Sequence, residues 1–484
     1  MPIKYFTLAS VMTLLTACGG GAGGQTNNTP APDNSDNPDT EQLSWGDSLV
    51  AHSERYVFTP TVATSSNGTS LVAWVTDSAV KVAEISADGA SAPQTLYTGS
   101  PSNSYALWGA AMVVSEHYQP MVRLQALANG NMLLVWSSQA DFDSHTVYAR
   151  IWNETSGWGE TTVLSEGESV LGHINIMADA DHAMVVLRSS ELRFADYNLN
   201  TGHWSTDHLI SDHRTTGDTA VATANGRYFV ANVERASIET TGSEDLRRLN
   251  ETLLMVNEIN PQDHSVSRHE LRNTDDGLNG PKGTLTMRYF NNELWLAYGV
   301  YRNGGSINEY ELKLAHGMDD NYTFIYGIEP TGDGRISSQQ MTLEPVDDHL
   351  QLVWLRRSNN TSKSDWQLRS LTIHDDNSLS DVSVLATAAI NPKLLTDDNG
   401  GEYLYWHANG NTRMATWSGD HWSEPVLFCG ASTNSSTTSP GTCSSGGQQY
   451  EVQVNNGVGL AAWTTVQSEN GLITAFNLNI SRTE

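Results

Sequence analysis

The chain has 484 residues, with 26 Lys and Arg against 55 Asp and Glu, which gives a formal net charge of −29. This balance argues against a nucleic-acid-binding protein, because each phosphate that a protein neutralises needs a Lys or an Arg. The 40 Gly and 14 Trp, with a charged fraction of only 17%, are typical of short strands joined by tight turns.

The chain begins with the features of an export signal. Lys4 precedes an uncharged, mostly apolar stretch, 5–17, which is too short to span a bilayer as a helix. The following Leu15-Thr16-Ala17-Cys18 resembles the lipobox of bacterial lipoproteins. Membership of that group implies acyl chains such as palmitate on Cys18 and a firm membrane anchor. By the same resemblance, Gly19 in place of Asp implies an outer-membrane location, facing the periplasm or the cell surface. The alternative is an ordinary secretory signal with an incidental cysteine.

Composition divides the chain into three segments: a signal peptide, 1–17; the lipidated Cys18 with a linker, 18–42; and a folded body, 43–484. The linker is rich in Gly, Asn, Pro and Asp and contains nothing that could form a core, so we predict a flexible spacer. Two further cysteines, Cys429 and Cys443, flank a Ser/Thr/Gly/Pro stretch. In an oxidising compartment we expect them to form one disulfide that closes a loop.

A turn followed by an apolar strand recurs along the folded body. The turns are Asn67-Gly68, Asn129-Gly130, Asp181-His182, Asn225-Gly226, Asn291-Asn292, Asp347-Asp348, Asn399-Gly400 and Asn456-Gly457. Asn-Gly favours a two-residue hairpin, in which both central residues have positive φ. Six residues beyond each turn lie Trp74, Trp136, Arg188, Asn232, Tyr298, Trp354, Trp406 and Trp463. Most of these are aromatic, and we interpret them as packing residues between neighbouring sheets.

Each repeat predicts four short antiparallel strands, because a third apolar strand and a Trp-led fourth strand follow the hairpin. Examples are TVYARIW and LRFADY for the third strand and Trp158-Gly159 and Trp204-Ser205 for the fourth. Four-stranded units repeated about a centre are the blades of a β-propeller. Eight hairpins predict eight blades, with seven as the alternative because the fourth and fifth units diverge. The segment around Leu43-Ser44-Trp45-Gly46 and Val50 resembles a fourth strand without its first three, while the last unit lacks one. We therefore predict that this N-terminal segment completes the last blade and closes the ring.

The repeats resemble those of bacterial propellers of the sialidase-like, or BNR-like, kind. The segments ANGNMLLVW and ARIWNETSGWGETTVLS carry this likeness, which extends over most of 43–480. The resemblance implies a fold and does not transfer a catalytic site. The Asp boxes of sialidases are missing, since Ser418-Gly419-Asp420-His421-Trp422 lacks the glycine and the spacing. Sialidase activity is therefore not expected.

The predicted blades place tight turns on one face of the ring and long loops on the other. The long loops are 99–120, 211–218, 233–252, 272–283, 299–308, 328–337, 356–365 and 429–447. Long loops carry function more often than tight ones, so this long-loop face is the predicted binding face. Arginines concentrate there, and the candidate binding residues are Arg235, Arg302, Arg335, Arg356 and Arg357. Guanidinium groups suit carboxylates and sulfates. We predict a protein or an anionic polysaccharide as the ligand; pairing of these arginines with loop acids such as Glu234 is the alternative.

An enzyme is the second reading of the same face. A polysaccharide lyase or glycoside hydrolase on an anionic glycan needs an acid and a base, for which His117, Tyr118 and His145 are candidates. No motif fixes their roles. Acidic turns at 141–143, 319–321 and 397–399 offer oxygen ligands of the kind that calcium takes, but none has the spacing of a calcium loop. We therefore predict neither a metal nor a cofactor, with calcium as the alternative.

Overall fold

The folded body is described here from a computed structural model. The residues it describes are 49–54, 58–76, 78–86, 88–99, 122–141, 144–168, 174–189, 191–213, 215–235, 252–271, 281–304, 307–318, 321–325, 328, 334–346, 348–358, 366–396, 401–408, 411–427, 450–455, 458–469 and 472–483. The predicted signal peptide, Cys18 and the disulfide partners Cys429 and Cys443 lie outside these residues, as do His117 and Tyr118. The described part of the chain contains no helix long and apolar enough to cross a membrane.

The strands of the first half follow one another in chain order. The N-terminal strand is β1 (Leu49–Glu54). Blade 1 contains β2 (Phe58–Thr64), β3 (Ser70–Val75), β4 (Ala79–Ser86) and a two-part outer strand, β5 (Gly89–Ala90) and β6 (Gln94–Thr98). Blade 2 contains β7 (Val122–Ala126), β8 (Met132–Asp141), β9 (Ser144–Asn153) and the outer β10 (Gly157–Trp158) and β11 (Thr162–Glu168). Blade 3 contains β12 (Asn175–Ala178), β13 (His182–Arg188), β14 (Leu192–Asn198) and β15 (His203–Ser211). Blade 4 contains β16 (Thr215–Ala224), β17 (Arg227–Arg235), β18 (Thr252–Ile259) and β19 (Val266–Leu271).

The second half repeats the pattern. Blade 5 contains β20 (Pro281–Phe290), β21 (Glu293–Gly304), β22 (Ile307–Met318) and β23 (Asn321–Ile325). Blade 6 contains β24 (Gly334–Val346), β25 (His349–Ser358), β26 (Trp366–His374) and β27 (Ser383–Thr387). Blade 7 contains β28 (Ala389–Thr396), β29 (Glu402–Ala408), β30 (Asn411–Thr416) and β31 (Val426–Leu427). Blade 8 contains β32 (Tyr450–Asn455), β33 (Val458–Glu469) and β34 (Leu472–Arg482), and its fourth strand is β1.

The chain is thus an all-β propeller, and the described strands form eight antiparallel blades of the predicted four-stranded kind. The predicted closure is also confirmed. β1 pairs with β34, and Val50 lies opposite Asn479 in its register. Because the first and last strands of the body share one sheet, no blade ends in an open seam between the chain termini.

Each pair of neighbouring blades encloses its own apolar cluster, and over the described residues there are eight such clusters for eight seams. The seam between blades 8 and 1, which closes the ring, is built like the others from Leu460, Leu478, Val62 and Trp74. The core is therefore a ring of seams rather than one central cluster. Each short strand therefore needs to pack only against the blades beside it, and a long chain can bury its apolar side chains without one large core.

The residue predicted to pack between sheets is buried in six blades. The side chains of Trp74, Trp136, Tyr298, Trp354, Trp406 and Trp463 are all no more than 6% exposed. Asn232 takes the same position in blade 4 and is fully buried. In blade 3 the prediction of Arg188 was wrong by one residue. The Asp179 N–H donates to the His182 carbonyl, so the turn residues are 180–181, and Leu187 takes the packing position instead.

The Asn-Gly turns use two different geometries. In blade 4, Asn225 (φ 51°) and Gly226 (φ 70°) both have positive φ and form the predicted two-residue turn. In blades 1 and 2 only the glycine is left-handed, with φ values of 87° at Gly68 and 81° at Gly130. There, the Ser65 N–H donates to the Thr69 carbonyl, and three residues form the loop. The two-residue prediction was therefore wrong for these two blades, where an extra residue before the glycine gives a three-residue hairpin.

Candidate functional site

The predicted binding arginines lie on three consecutive blades. Arg235 ends β17 of blade 4, and Arg302 lies near the end of β21 of blade 5. Arg356 and Arg357 lie near the end of β25, and Arg335 near the start of β24, both in blade 6. All five positions are at the ends of the strands that are remote from the tight first turns. The structure therefore brings these arginines to one end of blades 4 to 6, which we call the arginine end.

Strand register distinguishes these arginines. Arg302 lies directly opposite Glu309 on β22, so a position of opposite charge faces it in the register. Residues 299–304 and 307–308 belong to this hairpin, so the loop predicted at 299–308 is largely strand. By contrast, Arg335 lies directly opposite Arg357. Like charges directly opposite each other destabilise a sheet unless a counter-charge is supplied. In blade 6 the register therefore sets two arginine positions side by side.

Two other predicted residues lie elsewhere on the ring. His145 belongs to β9 of blade 2, where its backbone partners are Gln139 and Glu168. In a ring of eight, blade 2 is across the centre from blade 6. Arg188 is half-buried on the face of blade 3 that carries Met184 and Val186, and this face packs against blade 4. His145 and the blade 6 arginines therefore share neither a blade nor a seam.

Blade 4 contains a buried polar network that sequence reasoning missed. The Asn232 amide donates to Thr215 Oγ1 (3.2 Å) and Glu234 Oε1 (3.1 Å). Asn257 donates to Asn232 Oδ1 (2.8 Å), and Arg268 donates to Glu234 Oε2 (2.6 Å). The network crosses all four strands, and Arg268 neutralises a carboxylate that is only 1% exposed. The alternative reading of the sequence paired Glu234 with an arginine of the long loops. In the structure Glu234 does pair with an arginine, but this is Arg268 of the outer strand. The sequence signal was the replacement of an aromatic residue by Asn232.

A cation lies directly opposite the packing aromatic residue in four blades of the described ring. The pairs are Trp74 with Lys81, Tyr298 with Lys313, Trp354 with Arg369, and Trp406 with Arg413. Lys313 is fully buried, and Arg369 Nη2 donates to Gln367 Oε1 (2.7 Å). Directly opposite residues share a face of the sheet, so each cation faces the same seam as its aromatic partner. Their position assigns them to the packing of the seams rather than to a ligand.

Within the described ranges, no group of three or more His, Cys, Asp or Glu side chains is placed to hold a metal ion. The acidic turns named as calcium alternatives fall largely outside the described residues. Only Asp141, at the end of β8, and Asn321, at the start of β23, are described.

Comparison with known proteins gives similar folds without a family. No protein-family model matches the sequence, and no curated protein matches it. Among solved structures, a polysaccharide lyase is 12% identical with a TM-score of 0.38, covering 66% of this chain and 78% of that chain. An α-L-arabinofuranosidase from Fusarium graminearum is 14% identical with a TM-score of 0.33, covering 68% and 98%. The tricorn protease is 9% identical with a TM-score of 0.39, covering 80% and 36%. At these scores no activity passes from them to this chain.

Proposed function

We propose that the protein is a lipid-anchored propeller of the outer membrane or cell surface that binds an anionic ligand at the arginine end of blades 4 to 6. The single observation that carries the binding proposal is the register that sets Arg335 directly opposite Arg357, with Arg356 beside them. The ligand class that fits guanidinium groups is a polymer bearing carboxylate or sulfate groups. We take an anionic polysaccharide as the ligand, and a protein partner is the alternative outcome.

The chain as a whole makes this end unusual. With a net charge of −29, most of its surface repels anions. A local group of arginines is therefore the part of the chain that an anionic glycan would select. The predicted enzyme has no comparable support, since its described candidate His145 is on blade 2. We accordingly propose binding without chemistry.

Binding is tested with the double variant Arg335→Gln and Arg357→Gln. The matched control is Arg150→Gln with Arg227→Gln, which removes the same charge at side chains that bond to Thr161 and Glu258. We expect affinity for heparin-like or alginate-like polymers, measured by calorimetry at low salt, to fall roughly tenfold or more in the first variant. The difference should shrink as salt rises, because exposed ionic contacts are screened over about 8 to 10 Å.

The outcomes separate the alternatives. Equal binding by the double variant and the control contradicts the proposal. If the double variant gains stability without any polymer binding in the wild type, the ligand is not an anionic glycan, and a protein partner should be sought. Ultraviolet absorbance of an unsaturated uronate product, released from the polymer by the wild type, would establish a lyase instead.

The membrane anchor is tested separately with Cys18→Ser. We expect this variant to move from the membrane fraction to the soluble fraction, because an anchor of several acyl chains would be absent. A variant that stays firmly bound to membranes contradicts the lipoprotein part of the proposal and leaves the binding part intact.

A further inference from the structure

The seam between blades 3 and 4 carries a histidine cluster at its tight-turn end. Asp196 of β14 is only 2% exposed. His182 of β13 places Nδ1 2.9 Å from Asp196 Oδ2 and 3.1 Å from Oδ1. From the other side of the seam, His264 in the turn between β18 and β19 places Nε2 3.3 Å from the same Oδ2. One buried carboxylate is therefore shared by histidines of two blades.

A third histidine stacks on this arrangement. The ring of His208 on β15 lies 4.0 Å from the ring of His264 and 4.8 Å from Phe194. His208 Nε2 lies 2.7 Å from the hydroxyl of Ser205. Burial lowers the pKa of His208, and nearby His264 lowers it further, against the opposing effect of Asp196 and Asp207. Protonation of His208 therefore puts positive charge against a second imidazole.

The other titratable groups around His182 are already engaged. Asp179 Oδ1 accepts the backbone N–H groups of Asp181 and His182, each at 2.8 Å. The Tyr228 hydroxyl of blade 4 donates to the His182 carbonyl (3.1 Å). Burial, followed by Asp179 and Asp196, raises the pKa of Tyr228, so this hydroxyl stays neutral. Tyr228 is thus a second, uncharged tie across the seam.

Charged groups near His208 and His264 are also paired. Asp207 binds Arg193 at 2.7 Å, and Arg193 binds Glu191 as well. Asp263 accepts bonds from the Ser265 hydroxyl (2.7 Å) and N–H (3.0 Å), which hold the pKa of its carboxyl below the usual range. Asp196 is consequently the buried anion that both His182 and His264 contact.

His264 occupies a backbone position that favours glycine. Its φ is 59°, in the left-handed region, and its N–H donates to the Asn260 carbonyl (2.8 Å). The equivalent turns of blades 2 and 3 use Gly157 (φ 71°) and Gly202 (φ 70°). A side chain with a Cβ is disfavoured there. Blade 4 therefore holds an imidazole against Asp196 at a position where blades 2 and 3 have no side chain.

We propose that these residues form an acid-opened latch, in which Asp196 ties blades 3 and 4 through His264 near neutral pH and protonation of His208, stacked on His264, drives the seam apart. The direction of the pH dependence follows from His208. A histidine whose pKa is lowered by folding binds fewer protons in the closed state, so the stability present above about pH 6.5 is lost as the pH falls below it. Acidification would then loosen the ring at the seam between blades 3 and 4.

The test compares the wild type with His264→Gly across pH 8.0 to 5.0, and uses the thermal midpoint of the purified full chain. Glycine suits the backbone position, but the variant loses the tie to Asp196, so its midpoint at pH 8.0 should lie below that of the wild type by about 2 to 4 °C. At pH 5.0 the variant should keep a midpoint higher than the wild type by about 3 °C or more, because it lacks the repelling imidazole. His264→Asn repeats the test with another residue that tolerates positive φ, as Asn377 does (φ 65°).

Two results overturn the proposal. One is a difference between wild type and both variants that is the same at every pH. The other is a greater loss in acid by the variants, which would mean that protonated His264 holds the seam closed. His421→Gln is the matched control, since it removes an exposed histidine from a turn of blade 7 and should leave the pH profile of the wild type unchanged.

Discussion

Two seams of the ring place a histidine at the same position and give it opposite surroundings. His182 begins the second strand of blade 3 and His349 begins that of blade 6, and each faces the following blade. At the seam between blades 6 and 7, His349 Nε2 lies 3.1 Å from Glu402 Oε1 and Nδ1 lies 3.3 Å from Asp348 Oδ1. Two carboxylates there contact one histidine, whereas between blades 3 and 4 two histidines contact one carboxylate and a third histidine stacks on one of them.

The ratio of acids to histidines decides how each seam responds to protons. Burial lowers the pKa of His349, but hydrogen bonds and charge from Glu402, and then from Asp348, outweigh it and hold the pKa above its usual value. At the other seam burial and His264 lower the pKa of His208. Acidification is therefore expected to tighten the seam between blades 6 and 7 while it loosens the latch between blades 3 and 4.

Removing the shared carboxylate should have the largest effect. In Asp196→Ala, His182 and His264 lose a buried acceptor, and each unsatisfied polar group costs about 1 to 3 kcal/mol. We expect the free energy of unfolding at pH 7.5 to fall by about 2 to 4 kcal/mol, measured with urea. A change no larger than that of an exposed substitution would show that Asp196 does not tie the two blades.

His349→Gln should have a smaller effect with the opposite dependence on pH. A histidine with a raised pKa contributes stability below about pH 6.5, and this contribution is lost as the pH rises through the folded-state pKa. The variant should therefore lose about 1 kcal/mol of unfolding free energy at pH 5.5 and almost nothing well above the folded-state pKa. An equal loss at both pH values would assign His349 a packing role only.

The smallest effect is expected for His421→Gln in blade 7. The His421 side chain is 71% exposed and contacts Asp420, which is 84% exposed. Exposed ion pairs contribute little to stability. We expect an unfolding curve that overlays that of the wild type at pH 7.5 and pH 5.5. A measurable shift would mean that histidines at the tight turns act through net charge and not through their seams.

The blades could be predicted because their signals are local. A turn, an apolar strand and a buried aromatic residue recur within a few residues of one another, as at Gly68 and Trp74, and the unpaired strand at Val50 predicted the closure. The slip in blade 3, Arg188 for Leu187, arose because its turn has no Asn-Gly to fix its register.

The latch could not be predicted in the same way, because His182, His208 and His264 come from three different strands or turns of two blades. The sequence separations between these histidines do not repeat from blade to blade, so no periodic pattern predicts that they meet. The sequence does contain one clue in the third turns of the blades. In blades 2 and 3 a glycine follows Asn153 and Asn198 by four residues, whereas in blade 4 His264 follows Asn260 by four residues. The cations beside the aromatic rings were missed for a related reason, since the hairpins that join Trp74 to Lys81 and Trp354 to Arg369 differ in length.

Hydrogen exchange followed at both seams in one sample tests the contrast most directly. Amide protection, corrected for the intrinsic exchange rate, would be compared at pH 7.5 and pH 5.5 in peptides from β13–β15 and β18–β19 and in peptides from β25 and β29. The predicted result is protection that falls about threefold to tenfold between blades 3 and 4 and is kept or increased between blades 6 and 7. Protection that changes equally at both seams, or falls only between blades 6 and 7, would contradict the account.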